Sequence, residues 1–283
     1  MGARSASTER QRRLGAEVRK MRTAAGMTGE FAAGLLGVDR GKISGIESGA
    51  RAISSERLRI LACNCDCSDA AYVDALVAMA QPVAPGWWER YRGSLPAALL
   101  DIAELEAEAR RIRTMHVLHV PGLFQTSDYA QAVFRAGLPP LPEHEVALRM
   151  AHRLERGRIL SGDNPTAYVG ILHEAALRMR FGGVDVTRAQ LAHLVELSEQ
   201  DNVTLTVMPF EAGPIPGAGQ TVVYLEGPVP QLDTVQIDSA HGPEFLYQEA
   251  QLSKYRLQLD WLEHRALSPA ASRDFIQSIA RQL

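Results

Sequence analysis

Between Thr28 and Gly49 the chain repeats one short pattern twice: a capping side chain, about nine residues with apolar groups at helical spacing, and a glycine that stops the run. Thr28 caps the first copy, which carries Phe31, Ala32, Leu35 and Leu36 before Gly37. Asp39 caps the second, which carries Ile43 and Ile46 before Ser48 and Gly49. Two such helices joined by a turn of three to four residues describe a helix-turn-helix, with small Ala32 where the helices cross and Gly37 permitting the sharp turn. Arg40, Lys42 and Ser44 then face outward on the second helix, where side chains can enter a DNA major groove. Leu14, Val18 and Met21 form one stripe on a preceding helix that ends near Gly26. Ser54 or Ser55 caps a following helix with Leu58, Leu61 and Ala62 inward.

Charge follows this division. The whole chain of 283 residues carries −3, yet residues up to Arg59 hold twelve Lys or Arg against six Asp or Glu, which makes that part +6 and the remainder −9. A basic module joined to an acidic body points to a polyanion on one side and a different partner on the other. With 46% hydrophobic, 22% charged and 6% aromatic residues the composition is that of a globular protein with ample core, which excludes disordered and collagen-like chains. No apolar run is long enough to span a bilayer and MGARSASTERQRR lacks a secretory apolar segment, so the expectation is a cytoplasmic chain that does not engage membranes. Cys63, Cys65 and Cys67, an odd number in the run CNCDC, fit a reducing compartment.

The segment LGAEVRKMRTAAGMTGEFAAGLLGVDRGKISGIESGARAIS resembles the DNA-binding domain of Xre/Cro-type bacterial repressors, through MTGEFAAGLLGV, KISGIESG and the basic Arg51 that follows. The resemblance implies an all-helical domain that docks its third helix in the major groove of double-stranded DNA, as a homodimer on paired half-sites. Its base-reading positions match Arg40, Gly41 and Gly45 on the third helix and Gly29 on the second. A glycine has no side chain for a base edge, so Arg40 is left to contact guanine. Binding then leans on phosphate contacts from Thr28, Lys42 and Arg51, with Ser44 beside them and a basic arm of Arg10, Arg12 and Arg13.

The chain divides into a basic arm at 1–12, the helix-turn-helix domain at 13–80, a linker and helix at 81–112, and an α+β body at 113–283 with a small, mostly antiparallel sheet. In that body, extended segments are expected near Met115 to Val120, Thr166 to Leu172, Val203 to Phe210, Gln220 to Leu225 and Thr234 to Ile237. Helices are expected after Thr126 or Ser127, at Glu143 to Leu160, Arg188 to Glu199, Glu244 to Arg265 and Pro269 to Arg281. The segments HVPGLFQTSDYA, ILHEAALRMRFGG, QLAHLVELSEQDNVTLTVMPF and DSAHGPEF resemble a large domain of unknown function that follows the helix-turn-helix in many actinobacterial regulators and is often called antitoxin-like. This implies a transcriptional regulator whose C-terminal domain senses a ligand or binds a small partner protein.

Other residues admit chemistry but are weighed against plainer roles. Trp87, Trp88 and Tyr91 can line a ligand pocket or interface, or simply pack. Arg149 and Arg153, in a helical run with Arg156 and Arg158, can hold an anion or form a solvated face. Cys63 and Cys67 share a helical face at i, i+4 but lack the ligand number and spacing of a zinc site. His116 and His119, at i, i+3 beside a strand, are expected on opposite faces. Asp238, Ser239 and His241 have triad residue types without the geometry of a relay. No phosphate-cradling glycine loop is present. The expectation is therefore no catalytic residues, no metal and no cofactor. The rival readings are an antitoxin-like interaction protein with weak or non-specific DNA binding, and an enzyme on a retired regulator scaffold.

Overall fold

A computed structural model of the chain describes residues 7–82, 84–217, 219–239 and 241–283. The chain forms two compact units, Met1–Glu89 with Ala97–Asp101, and Arg90–Pro96 with Ile102–Leu283.

The first unit is helical: α1 Glu9–Ala24, α2 Gly29–Leu35, α3 Arg40–Glu47, α4 Ser55–Asn64 and α5 Ala70–Ala80. Side-chain caps set the starts, with Thr8, Thr28, Asp39, Ser54 and Asp69 each accepting a backbone N–H from the first turn. The buried stripe comprises Leu14, Val18, Met21, Ala32, Ile43, Ile46, Leu58, Leu61 and Ala62, as their spacing predicts. Phe31 departs from it: its side chain is 62% exposed. The reason is angular, because Ala32 and Ala33 take the inner face of a helix only seven residues long.

The helix α6 Ala97–Glu108 leads into the second unit, which continues β1 Arg111–His116, α7 Ser127–Arg135, α8 Glu143–Arg156, β2 Ala167–His173, α9 Glu174–Arg178 and α10 Val184–Leu197. It ends with β3 Val203–Met208, β4 Val222–Glu226, β5 Thr234–Ser239, β6 Gly242–Leu246, α11 Glu249–Arg265 and α12 Pro269–Gln282. The architecture is α+β, and the six-stranded sheet is mixed, in the order β3-β2-β1-β4-β5-β6. The pairs β1–β2 and β2–β3 are parallel because helices carry the chain across between them. The pairs β1–β4, β4–β5 and β5–β6 are antiparallel. Helices cover both faces. Ile112, Tyr168, Leu172 and Leu205 pack with Leu191 and Leu194 of α10 and Ile276 and Ile279 of α12. Met115, Ile171, Tyr224 and Val235 pack on Leu252, Leu259 and Leu262 of α11. The strand expected at Met115 to Val120 lies instead at Arg111–His116, and residues 244–246, expected to open a helix, belong to the strand Gly242–Leu246. Both shifts arise because pairing with β4 and β5 outweighs local propensity.

Candidate functional site

The pair α2 and α3 is joined by Leu36–Asp39. Gly37 sits at φ +61°, and two backbone bonds, Val38 N to Ala33 O at 2.9 Å and Gly37 N to Gly34 O at 3.2 Å, close the end of α2 in a Schellman motif. Asp39 Oδ1 then accepts from Lys42 N at 2.8 Å and starts α3. With Ile43 and Ile46 buried, Arg40 and Ser44 are exposed and Lys42 is half-buried on the opposite face. Arg40 and Lys42 have no carboxylate within ion-pair distance among the described residues. Thr28 is exposed at the start of α2, where its hydroxyl accepts from Phe31 N at 3.1 Å.

The three glycines at the reading positions are not equivalent. A Cβ built on Gly29 would meet nothing within 4 Å, and one on Gly41 would lie 3.0 Å from the capping Oδ1 of Asp39. On Gly45 it would fall 2.9 Å from Cδ and 3.1 Å from Cγ of Arg51. The Arg51 side chain therefore lies across α3 in the place a reader at Gly45 would occupy. The link is local: Arg51 N donates to Gly45 O at 2.9 Å.

Arg10, Arg12 and Arg13 do not form an arm, because the capping box at Thr8 starts α1 ahead of them. Arg10 donates to the Ala78 and Met79 carbonyls, Arg12 pairs with Glu9 and Asp101, and buried Arg13 pairs with Glu17. Residues 1–6 of that expected arm lie outside the described residues. Arg22 holds Glu47 at 2.5 and 3.0 Å and so ties α1 to the end of α3.

In the first unit, Trp87 and Trp88 pack edge to face at 5.9 Å within a 3-10 turn. In the second, Tyr91 is buried, its hydroxyl donating to Glu155 and its ring 5.2 Å from His152. Arg149 is bound by Glu145 of its own helix at 2.6 Å, whereas Arg153 is half-buried and donates to Gln125 at 2.6 Å. His116 and His119 are not on opposite faces. Strand β1 ends at His116, so the following turn brings the rings to 5.6 Å. Cys63 and Cys67 do not share a helical face either: α4 ends at Asn64, and Asp66 turns the chain at φ 58°. Ser239 and Asp238 end β5, and the Ser239 hydroxyl donates to Gly242 O at 2.9 Å across the hairpin.

His152 is held neutral. Burial, and then Arg156, Arg153 and Arg90, push it from its ordinary 6.5 down to about 4. Burial and His119 likewise lower His116. A depressed histidine contributes stability that is whole above pH 6.5 and is lost as pH falls, because the unfolded chain takes up the proton first. Chemical denaturation at pH 6.5 and 5.5 is expected to show a loss of about 1 kcal/mol from His152, and His152→Phe should remove that part of the slope.

Two family models match the chain. One, described as a helix-turn-helix domain, covers residues 13–76, and the other, described as a domain of unknown function (DUF5753), covers residues 99–278. No curated protein and no solved structure matches it.

Proposed function

The chain belongs to the DUF5753 family, and from the helix-turn-helix domain that precedes the family domain we propose a DNA-binding transcriptional regulator of the Xre/Cro type. It acts as a homodimer on paired half-sites in the cytoplasm and has no catalysis of its own. Actinobacterial, antitoxin-like relatives are implied by the resemblance of the C-terminal segments. The C-terminal body senses a ligand or binds a partner, and occupancy shifts the population of dimers whose recognition helices match the half-site spacing. The observation that carries the reading is the outer face of α3, where Arg40, Lys42 and Arg51 stand without carboxylate partners among the described residues while the inner face is buried.

Arg51, lying over Gly45, reads a base edge in place of the missing side chain. The test is binding to the chain's own upstream DNA across a salt series. Arg40→Ala and Arg51→Ala should each cost about 1–3 kcal/mol and flatten base preference. Lys42→Ala should weaken all sequences alike and lower the salt slope by about one. Complete loss of binding near physiological salt, with no preference over random duplex, would refute sequence-specific reading.

A second reading, capture of a small partner protein, is favoured by Leu257, 71% exposed, and Trp261 one turn later on α11. Co-purification with a small protein encoded next to it, lost in Leu257→Asp, is its test.

A further inference from the structure

Four arginines occupy α8 and the turn after it, and three of them meet carboxylates: Arg149 takes Glu145 at 2.6 Å, Arg156 takes Glu106 at 2.5 Å, and Arg158 lies 3.8 Å from Glu155. Among the described residues Arg153 has no such partner. Its Nη1 donates to Gln125 and its guanidinium lies 4.1 Å from the centre of the Phe134 ring, but its Nε is buried without a hydrogen bond. The Nε–Nη2 edge is thus left over. Arg156 shows what that edge does when filled, holding the two oxygens of Glu106 at 2.8 and 2.5 Å. Burial and the neighbouring Arg156 push the Arg153 guanidinium down to about 9, as expected for a cation short of a counter-ion. Asp238, exposed on β5, acts on both arginines only from beyond ion-pair distance.

Gly122 lies over the arginines, where a Cβ would stand 3.6 Å from Arg153 Nε and 4.0 Å from Arg156 Nη1.

From these contacts we propose that the C-terminal body binds a small organic carboxylate, its two oxygens on the Nε–Nη2 edge of Arg153 under the Gly122 turn. A planar carboxylate matches that fork. The proposal deepens the sensing reading and rests on it for its consequence.

The test is NMR of the arginine Nε–H groups in the full chain, titrated with acetate, with inorganic phosphate, and with chloride at matched ionic strength. Acetate is expected to shift Arg153 saturably and leave Arg149 in place, while phosphate and chloride give no saturation. Gly122→Ala, which preserves every charge, should weaken acetate by at least about tenfold. Arg153→Gln should abolish the rise in melting temperature that acetate produces. An Arg153 signal that moves no further with acetate than with chloride, or acetate binding equally tight in Gly122→Ala, overturns the site. Saturation by phosphate but not acetate overturns the carboxylate assignment. Affinity for upstream DNA, measured with and without saturating acetate, reports separately: no change while Arg153 is occupied sinks the sensing reading and leaves the site standing.

Discussion

Glu106→Gln is expected to cost the C-terminal body about 3–5 kcal/mol, the usual loss when one member of a buried ion pair is removed. Glu106 and Arg156 are both buried, and Glu106 is the carboxylate bound to a cluster that also contains Arg153. Glutamine keeps the shape but takes the carboxylate's charge away from Arg156 and from Arg153, which Arg156 already repels, in a region of low dielectric. For a body of this size the melting temperature should fall by about 6–20 °C. Replacing both partners, Glu106→Leu with Arg156→Leu, should restore much of that loss, since neither member of the pair is then left without the other. A single variant as stable as the parent would show that water already satisfies Arg156.

Gly15→Ala is the second large effect, and it acts on DNA binding through packing. A Cβ on Gly15 would run into the Ile46 carbonyl and fall 2.8 Å from both Glu47 O and Gly49 N, all backbone atoms at the end of α3. Backbone cannot rotate aside as a side chain does, so α3 must shift relative to α1. The expected cost is about 1–3 kcal/mol in the first unit, with upstream-DNA affinity reduced at least as much as by Arg40→Ala. Circular dichroism should show that helix content survives. Gly34→Ala, which would meet nothing within 4 Å, is the control and should be neutral or slightly stabilising. Equal effects from both variants would place the close crossing elsewhere.

Much of the first unit was legible because its signals are local. Thr28 and Asp39 are caps in sequence and in space, and Gly26 and Gly37 stop helices by taking the left-handed conformation that glycine alone adopts freely. Asp66 performs the same role at the end of α4 without being glycine, which is why the CNCDC run read as helix. The start of α1 lies within the expected basic arm because Thr8 and Gln11 exchange reciprocal bonds in a capping box. In the candidate interface, Arg40 and Lys42 could be placed by helical spacing. The path of Arg51 over Gly45 could not, because it depends on how the chain leaves α3.

By itself the sequence determined the two regions, their opposite charge, the capped helix pair and the outward face of α3, since capping, periodicity and net charge act within a turn or two of the chain. Only the tertiary structure decided which positive charges remain without partners. Arg10, Arg12 and Arg13 are spent on contacts within their unit, Arg149 on Glu145, and Arg156 on Glu106, fifty residues earlier in the chain, while Arg51 and Arg153 are left uncompensated among the described residues. Whether an arginine meets a carboxylate depends on distances of a few ångströms between segments far apart in sequence, and no local pattern encodes those distances.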